Sequence, residues 1–167
     1  MATRIKWIKQ RDEYSCGPVA IINILKWLGV NATYKWLPAV QNLCRCDIDG
    51  TSTADIESAL KRLCIKYKKR MSPSLKKIDD HLNRNGIALV EYYYAQDEGH
   101  FALCIKKTKK QYTLVNDVKE ITVSRIYRKG FIKLIRSHRV NEAPLIWFIY
   151  GNSYSLRKIN GSKSKVG

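Results

Sequence analysis

The chain has 167 residues, 45% of them apolar, and a formal charge of +17 from 31 Lys and Arg against 14 Asp and Glu. This length and composition exclude a disordered polypeptide and a mini-protein held by disulfides or metal, and predict one domain over residues 1–151 with a basic, fraying tail at 152–167. No stretch reaches the roughly 18 apolar residues of a membrane span, and charge interrupts MATRIKWIKQ before the apolar core of a signal peptide can form, so a soluble protein is expected.

Cys16 to Leu28 is apolar on nearly every side and ends at Gly29, which predicts a buried central helix with a glycine stop. A second helix is expected over Tyr34–Asn42, started or interrupted by Pro38. A third follows the capping box Ser52–Asp55, with Ile56, Leu60 and Leu63 on one face. The fourth starts near Pro73 or Ser74, runs through Leu75, Ile78 and Leu82, and stops at Asn85-Gly86. Strands are then expected at 87–95, 100–106, 112–118 and 144–151, where β-branched and aromatic residues alternate with polar turns. A short helix fits within 125–136. Helices first and antiparallel strands second make an α+β fold, the central helix packing on a sheet from the C-terminal half.

Cys16 stands at the head of the central helix. A lone cysteine there is more often inert packing, but unpaired N–H groups and the positive end of the helix dipole beside its sulfur favour the thiolate. Pro18 fits the first turn, where its missing N–H costs nothing. A thiolate attacking a carbonyl needs a donor for the developing oxyanion, and the Gln10 side chain is one that the short loop between them brings close. Three histidines compete for the base. His81 is expected on the solvated side of its helix and His138 in a basic loop, which leaves His100 at the head of a strand. A hairpin turning at Thr108-Lys109 sets His100 opposite Asp117, with Cβ atoms about 5 Å apart. Asp117 then orients the imidazole, as in a nucleophile–base–orienter triad; a shift of one residue selects Asn116 instead.

Five cysteines, scattered and odd in number, fit a reducing cytoplasm rather than a disulfide framework. Cys44 and Cys46 form a C-x-C pair without the further ligands a closed zinc site wants, so neither metal nor cofactor is expected. The charge predicts nonspecific attraction to nucleic acid, a nucleic-acid-containing assembly or another acidic partner, with a solvated lysine surface as the plainer explanation.

The pattern Gln10, Asp12, Cys16, Gly17, Leu25 and Gly29, followed by Gly99-His100-Phe101 and by Asp117 at the end of the next strand, resembles the double-glycine, bacteriocin-processing group of papain-like cysteine peptidases. The resemblance spans roughly residues 8 to 150, and departs from the group's pattern at Val118, where proline is usual. It implies a papain-like fold and thioester chemistry: Cys16 attacks a peptide carbonyl, His100 takes and returns the proton, Asp117 holds the imidazole and Gln10 stabilises the oxyanion. The implied substrate is a peptide or protein, with cleavage after small residues such as Gly among the options. The competing function is a catalytically silent version of the same fold that serves as a basic binding or scaffold protein.

Overall fold

The computed structural model describes residues 5–93, 99–118, 121–136 and 144–151, excluding the side chains of Asp117, Val118 and Ile121. The expected tail, His138 and residues 94–95 lie outside this description.

Helix α1 (Cys16–Trp27) is buried along Cys16 to Leu25. Its end has a glycine-terminated hydrogen-bond pattern: Gly29 (φ 87°) donates to Lys26 O and Val30 donates to Leu25 O. A 3₁₀ turn (Tyr34–Trp36) leads into α2 (Leu37–Leu43), with Pro38 in its first turn. Helix α3 (Thr53–Arg62) is capped as its sequence predicts. Ser52 Oγ accepts from the Asp55 N–H at 3.1 Å and donates to the Asp55 carboxylate at 2.6 Å. Ile56 and Leu60 point inward from it, while Leu63 forms its C-cap and is only half-buried.

The remaining elements are β1 (Tyr67–Met71), α4 (Leu75–Asn83), β2 (Ile87–Tyr93), β3 (Gly99–Lys107), β4 (Gln111–Val118), β5 (Ile121–Tyr127), α5 (Arg128–Arg136) and β6 (Leu145–Ile149). The strands form one antiparallel six-stranded sheet in the order β1-β6-β2-β3-β4-β5. Two of them differ from expectation. β1, YKKRM, comes from the N-terminal half; it is an edge strand with four exposed residues, so it has no apolar alternation to betray it. β5 occupies the start of the segment expected to hold a helix, which begins only at Arg128.

Alternation along the strands builds two cores. Leu89, Phe101, Leu103, Val115 and Trp147 face α1, α2 and α3. Val90, Tyr92, Cys104, Leu114 and Phe148 face α4 and α5 on the other side. Helices therefore cover both faces of the sheet, where the sequence predicts chiefly a helical layer from the N-terminal half.

The second core is pinned by a polar cluster. Asp79 on α4 accepts from Tyr112 Oη at 2.6 Å and, in a fork, from Arg128 at 2.9 and 3.3 Å. Burial raises the Asp79 carboxyl pKa, but these hydrogen bonds and the nearby cations outweigh it, and the net shift is downward. Stability from this group is therefore full above the unfolded carboxylate's range and is lost as pH falls through the lowered folded value. Asp79→Asn is expected to cost about 1–2 kcal/mol at pH 7. In urea titrations the difference from wild type should shrink below about pH 4; a pH-independent difference would contradict the pairing.

Candidate active site

The site is built where the sheet opens between β3 and β4. The β3–β4 turn places Thr108 N–H on Gln111 O at 2.7 Å, with Thr108 Oγ1 accepting from Lys110 and Gln111, so it lies later than the expected Thr108-Lys109 turn. A register shift between Cys104 and Lys106 then leaves Leu103 opposite Val115, one residue away from the predicted pairing. The ladder with β4 ends there, and His100 and Asp117 are not among its pairs. Beyond Val115, β4 also breaks register with β5, and Asn116 takes a left-handed φ of 61°, which asparagine tolerates better than most residues.

The bulge turns the Asn116 carbonyl toward the histidine. His100 Nε2 lies 2.5 Å from Asn116 O. A carbonyl only accepts, so Nε2 carries a proton, and the neutral form of the ring has its lone pair on Nδ1. Across β2, the Tyr92 ring stands directly opposite, with ring centroids 5.4 Å apart. His100 is only 4% exposed. The Asp117 backbone belongs to β4, while its side chain lies outside the described part.

Asn116 also reaches the other side of the opening. Its Oδ1 accepts from the Gln10 N–H and its Nδ2 donates to Gln10 Oε1, both at 3.2 Å. Gln10 Nε2 donates to Asp12 O at 2.8 Å, and the Asp12 carboxylate accepts from Tyr14 N–H at 3.1 Å and Ser15 N–H at 2.7 Å. Gln10 is 3% exposed, so it is a clamped buried amide rather than a surface residue. One of its two amide hydrogens is committed to Asp12 O.

The segment before Gln10 is anchored by Asn23, whose side chain treats it as a strand: Ile8 N–H donates to Asn23 Oδ1 at 2.8 Å and Asn23 Nδ2 donates to Ile8 O at 2.9 Å. The positioning parts played by Asn23, Asp12 and the Asn116 side chain do not follow from the sequence pattern. A polar residue in the middle of an otherwise apolar helix was the available signal for Asn23, because a buried amide demands partners.

Cys16 begins α1, as expected. Gly17 follows at a tight spot: a Cβ there would stand 2.9 Å from Ile56 Cδ1 and 3.1 Å from Thr51 Cβ, so a larger residue would push on both side chains. The Cys16 thiol is buried, and burial pushes its pKa up to about 11 despite the opposing N–H groups of Phe101, Gly17 and Cys16 itself. The helix-start N–H groups act in the predicted direction, but desolvation wins, so the resting group is a thiol and not the thiolate expected from sequence. Since Phe101 follows His100 in β3, the described contacts run in a closed circuit: Cys16, Phe101, His100, Asn116, Gln10, Asp12 and Ser15, back to Cys16.

The other titratable candidates are structural. His81, expected on a solvated helix side, is 8% exposed. Its Nε2 lies 3.0 Å from both Ile87 O and Ile149 O, fastening α4 to the sheet, and its pKa is pushed down chiefly by burial. Cys44 is fully buried, with its thiol pKa raised to about 12 by burial. Among the described residues, no three or more His, Cys, Asp or Glu side chains are grouped to hold a metal ion, and no helix is long and apolar enough to cross a membrane.

The fold resembles that of several solved peptidase domains. The peptidase domain of Streptococcus ComA, a bifunctional ABC transporter of a quorum-sensing pathway, matches with a TM-score of 0.71 at 17% identity, over 89% of this chain and 100% of that one. A double-glycine motif protease from an AMS/PCAT transporter, solved with its leader peptide, matches with a TM-score of 0.61 at 16% identity, over 88% and 93%. A C39-like peptidase from Bacillus anthracis matches with a TM-score of 0.64 at 10% identity, over 91% and 98%. No curated protein matches the chain. The Peptidase C39 family model matches residues 4–134, and with that span the chain belongs to the Peptidase C39 family, a family of cysteine peptidases.

Proposed function

We propose that this chain hydrolyses a peptide bond through a Cys16 thioester, with His100 as the base, Asp117 as its orienter and Gln10 as oxyanion donor. The observation that carries the reading is the His100–Asn116 hydrogen bond, which puts a proton on Nε2 and so supports Nδ1 as the basic atom of the neutral ring. The raised Cys16 pKa makes that base necessary, because the thiol does not ionise by itself near neutral pH. His100 removes the thiol proton as sulfur adds to the carbonyl carbon; the oxyanion is met by Gln10 Nε2 and the Cys16 N–H. Collapse expels the amine, which takes the proton from His100, and water then releases the acyl group in a second addition with His100 again as base. The Asn116 carbonyl shares the orienting task on the Nε2 side.

The substrate class is a peptide, with a small residue such as Gly before the cut, a reading supported by likeness to the double-glycine motif protease. Incubation with a peptide mixture carrying small-residue pairs, followed by sequencing of new termini, should give cuts that are absent with Cys16→Ala. Cuts retained in that variant would refute the proposal.

If Asn116 holds Gln10 for oxyanion binding, Asn116→Gly, which keeps the left-handed backbone but removes the clamp, should lower kcat about tenfold. The loss should be less than additive with Gln10→Ala. Full additivity in the double variant would uncouple the two residues.

A further inference from the structure

On the sheet face opposite α1, a cleft of about 350 Å³ runs between α4 and the edge strand β1. Lys68 and Arg70 form one wall; Lys77 and Arg84 form the other. Lys68 and Arg70 are two residues apart on β1 and lie opposite Phe148 and Ile146, so both project toward the α4 side, about 7 Å apart along the strand. Lys77 and Arg84 lie near opposite ends of α4. None of the four pairs with a carboxylate among the described residues, and the lining carboxylate, Asp80, is bound to Lys76 at 3.0 Å. Phe148 and His81 contribute to the lining, and the Tyr150 ring, 41% exposed, stands edge-on to His81 with centroids 4.9 Å apart.

Lysines on an edge strand also block unwanted strand pairing, which accounts for β1. It does not account for Lys77 and Arg84 across the cleft, nor for a half-exposed aromatic ring beside four cations that outnumber the one lining carboxylate. The combination of a concave cationic channel and an aromatic platform suits a flexible phosphodiester strand, whose backbone runs between the walls while a base stacks on the ring. The chain's charge of +17 would steer such a polyanion toward it. We propose that this cleft is a binding site for single-stranded nucleic acid, separate from the peptidase site. It rests on no part of the proposed peptidase mechanism.

The test is fluorescence anisotropy with a labelled oligothymidine of about 12 nucleotides, a length within the usual range for one such groove, in about 50 and 200 mM salt. Arg70→Glu/Arg84→Glu should weaken binding at least tenfold and flatten its salt dependence. Lys109→Glu/Lys110→Glu, the same charge change on the β3–β4 turn, should stay within about threefold of wild type. Tyr150→Ala should weaken binding about tenfold with the salt slope unchanged. Melting curves would verify that each variant is folded. Equal losses in both reversal variants would reduce the effect to diffuse charge, and tighter binding of labelled poly-glutamate than of the oligonucleotide would assign the cleft to acidic peptide. Either result, or no binding by wild type at low salt, overturns the proposal.

Discussion

Cys16→Ala is expected to abolish peptide cleavage, a loss on the order of 10⁶-fold in kcat, while leaving the fold in place. The two effects separate because the side chain contributes little packing and all of the nucleophilic chemistry. Cys16 is buried at the edge of the first core, and trimming its sulfur leaves a small cavity costing about 1 kcal/mol. Of the other four cysteines, Cys46 is close enough to Cys16 to interact with it electrostatically, but its thiol is raised in pKa chiefly by burial and donates to Tyr14 O at 3.5 Å. Cys44 and Cys104 are buried with raised pKa values, and Cys64 is exposed at the end of α3. A variant that retains activity would locate the chemistry elsewhere; one that loses both activity and its cooperative melting would show Cys16 to be packing.

His100→Ala is expected to lower kcat by about 10²–10⁴. The Cys16 thiol, its pKa pushed up to about 11, is thiolate in only a very small fraction at pH 7. Without His100, activity depends on that spontaneous thiolate, so the residual rate should climb with pH up to the thiol's ionisation, whereas wild type should level off earlier. A variant with the wild-type pH profile would show that the histidine does not manage the proton. The ring also packs on Tyr92, so His100→Gln, which keeps a donor toward the Asn116 carbonyl but supplies no base, separates packing from proton transfer. It should retain stability and still lose the rate.

The helical half was legible because its signals are local. Ser52 and Ser74 each cap the helix they precede, and Gly29 provides the expected glycine stop of α1, in a left-handed conformation. β2, β3, β4 and β6 were legible because they are central or half-buried and apolar. β1 was not, since an edge strand needs no apolar face and its neighbour β6 supplies the pairing from nearly 80 residues away. The β3–β4 hairpin is readable from the two apolar runs but its register is not, because the turn is longer and a bulge near Ile105 alters the spacing. The same kind of irregularity at Asn116 changes its meaning: proposed from sequence as an alternative side-chain orienter, it instead offers its carbonyl to His100 and its side chain to Gln10. Backbone irregularities of this sort depend on tertiary contacts, so alternation rules pass over them.

The most direct test of a base-activated Cys16 is its alkylation by iodoacetamide at pH 6 to 7, followed residue by residue by mass spectrometry in wild type and His100→Ala. Wild-type Cys16, although buried, should react faster than exposed Cys64, and the variant should reverse the order. Cys16 reacting no faster than Cys64 in wild type would contradict base activation.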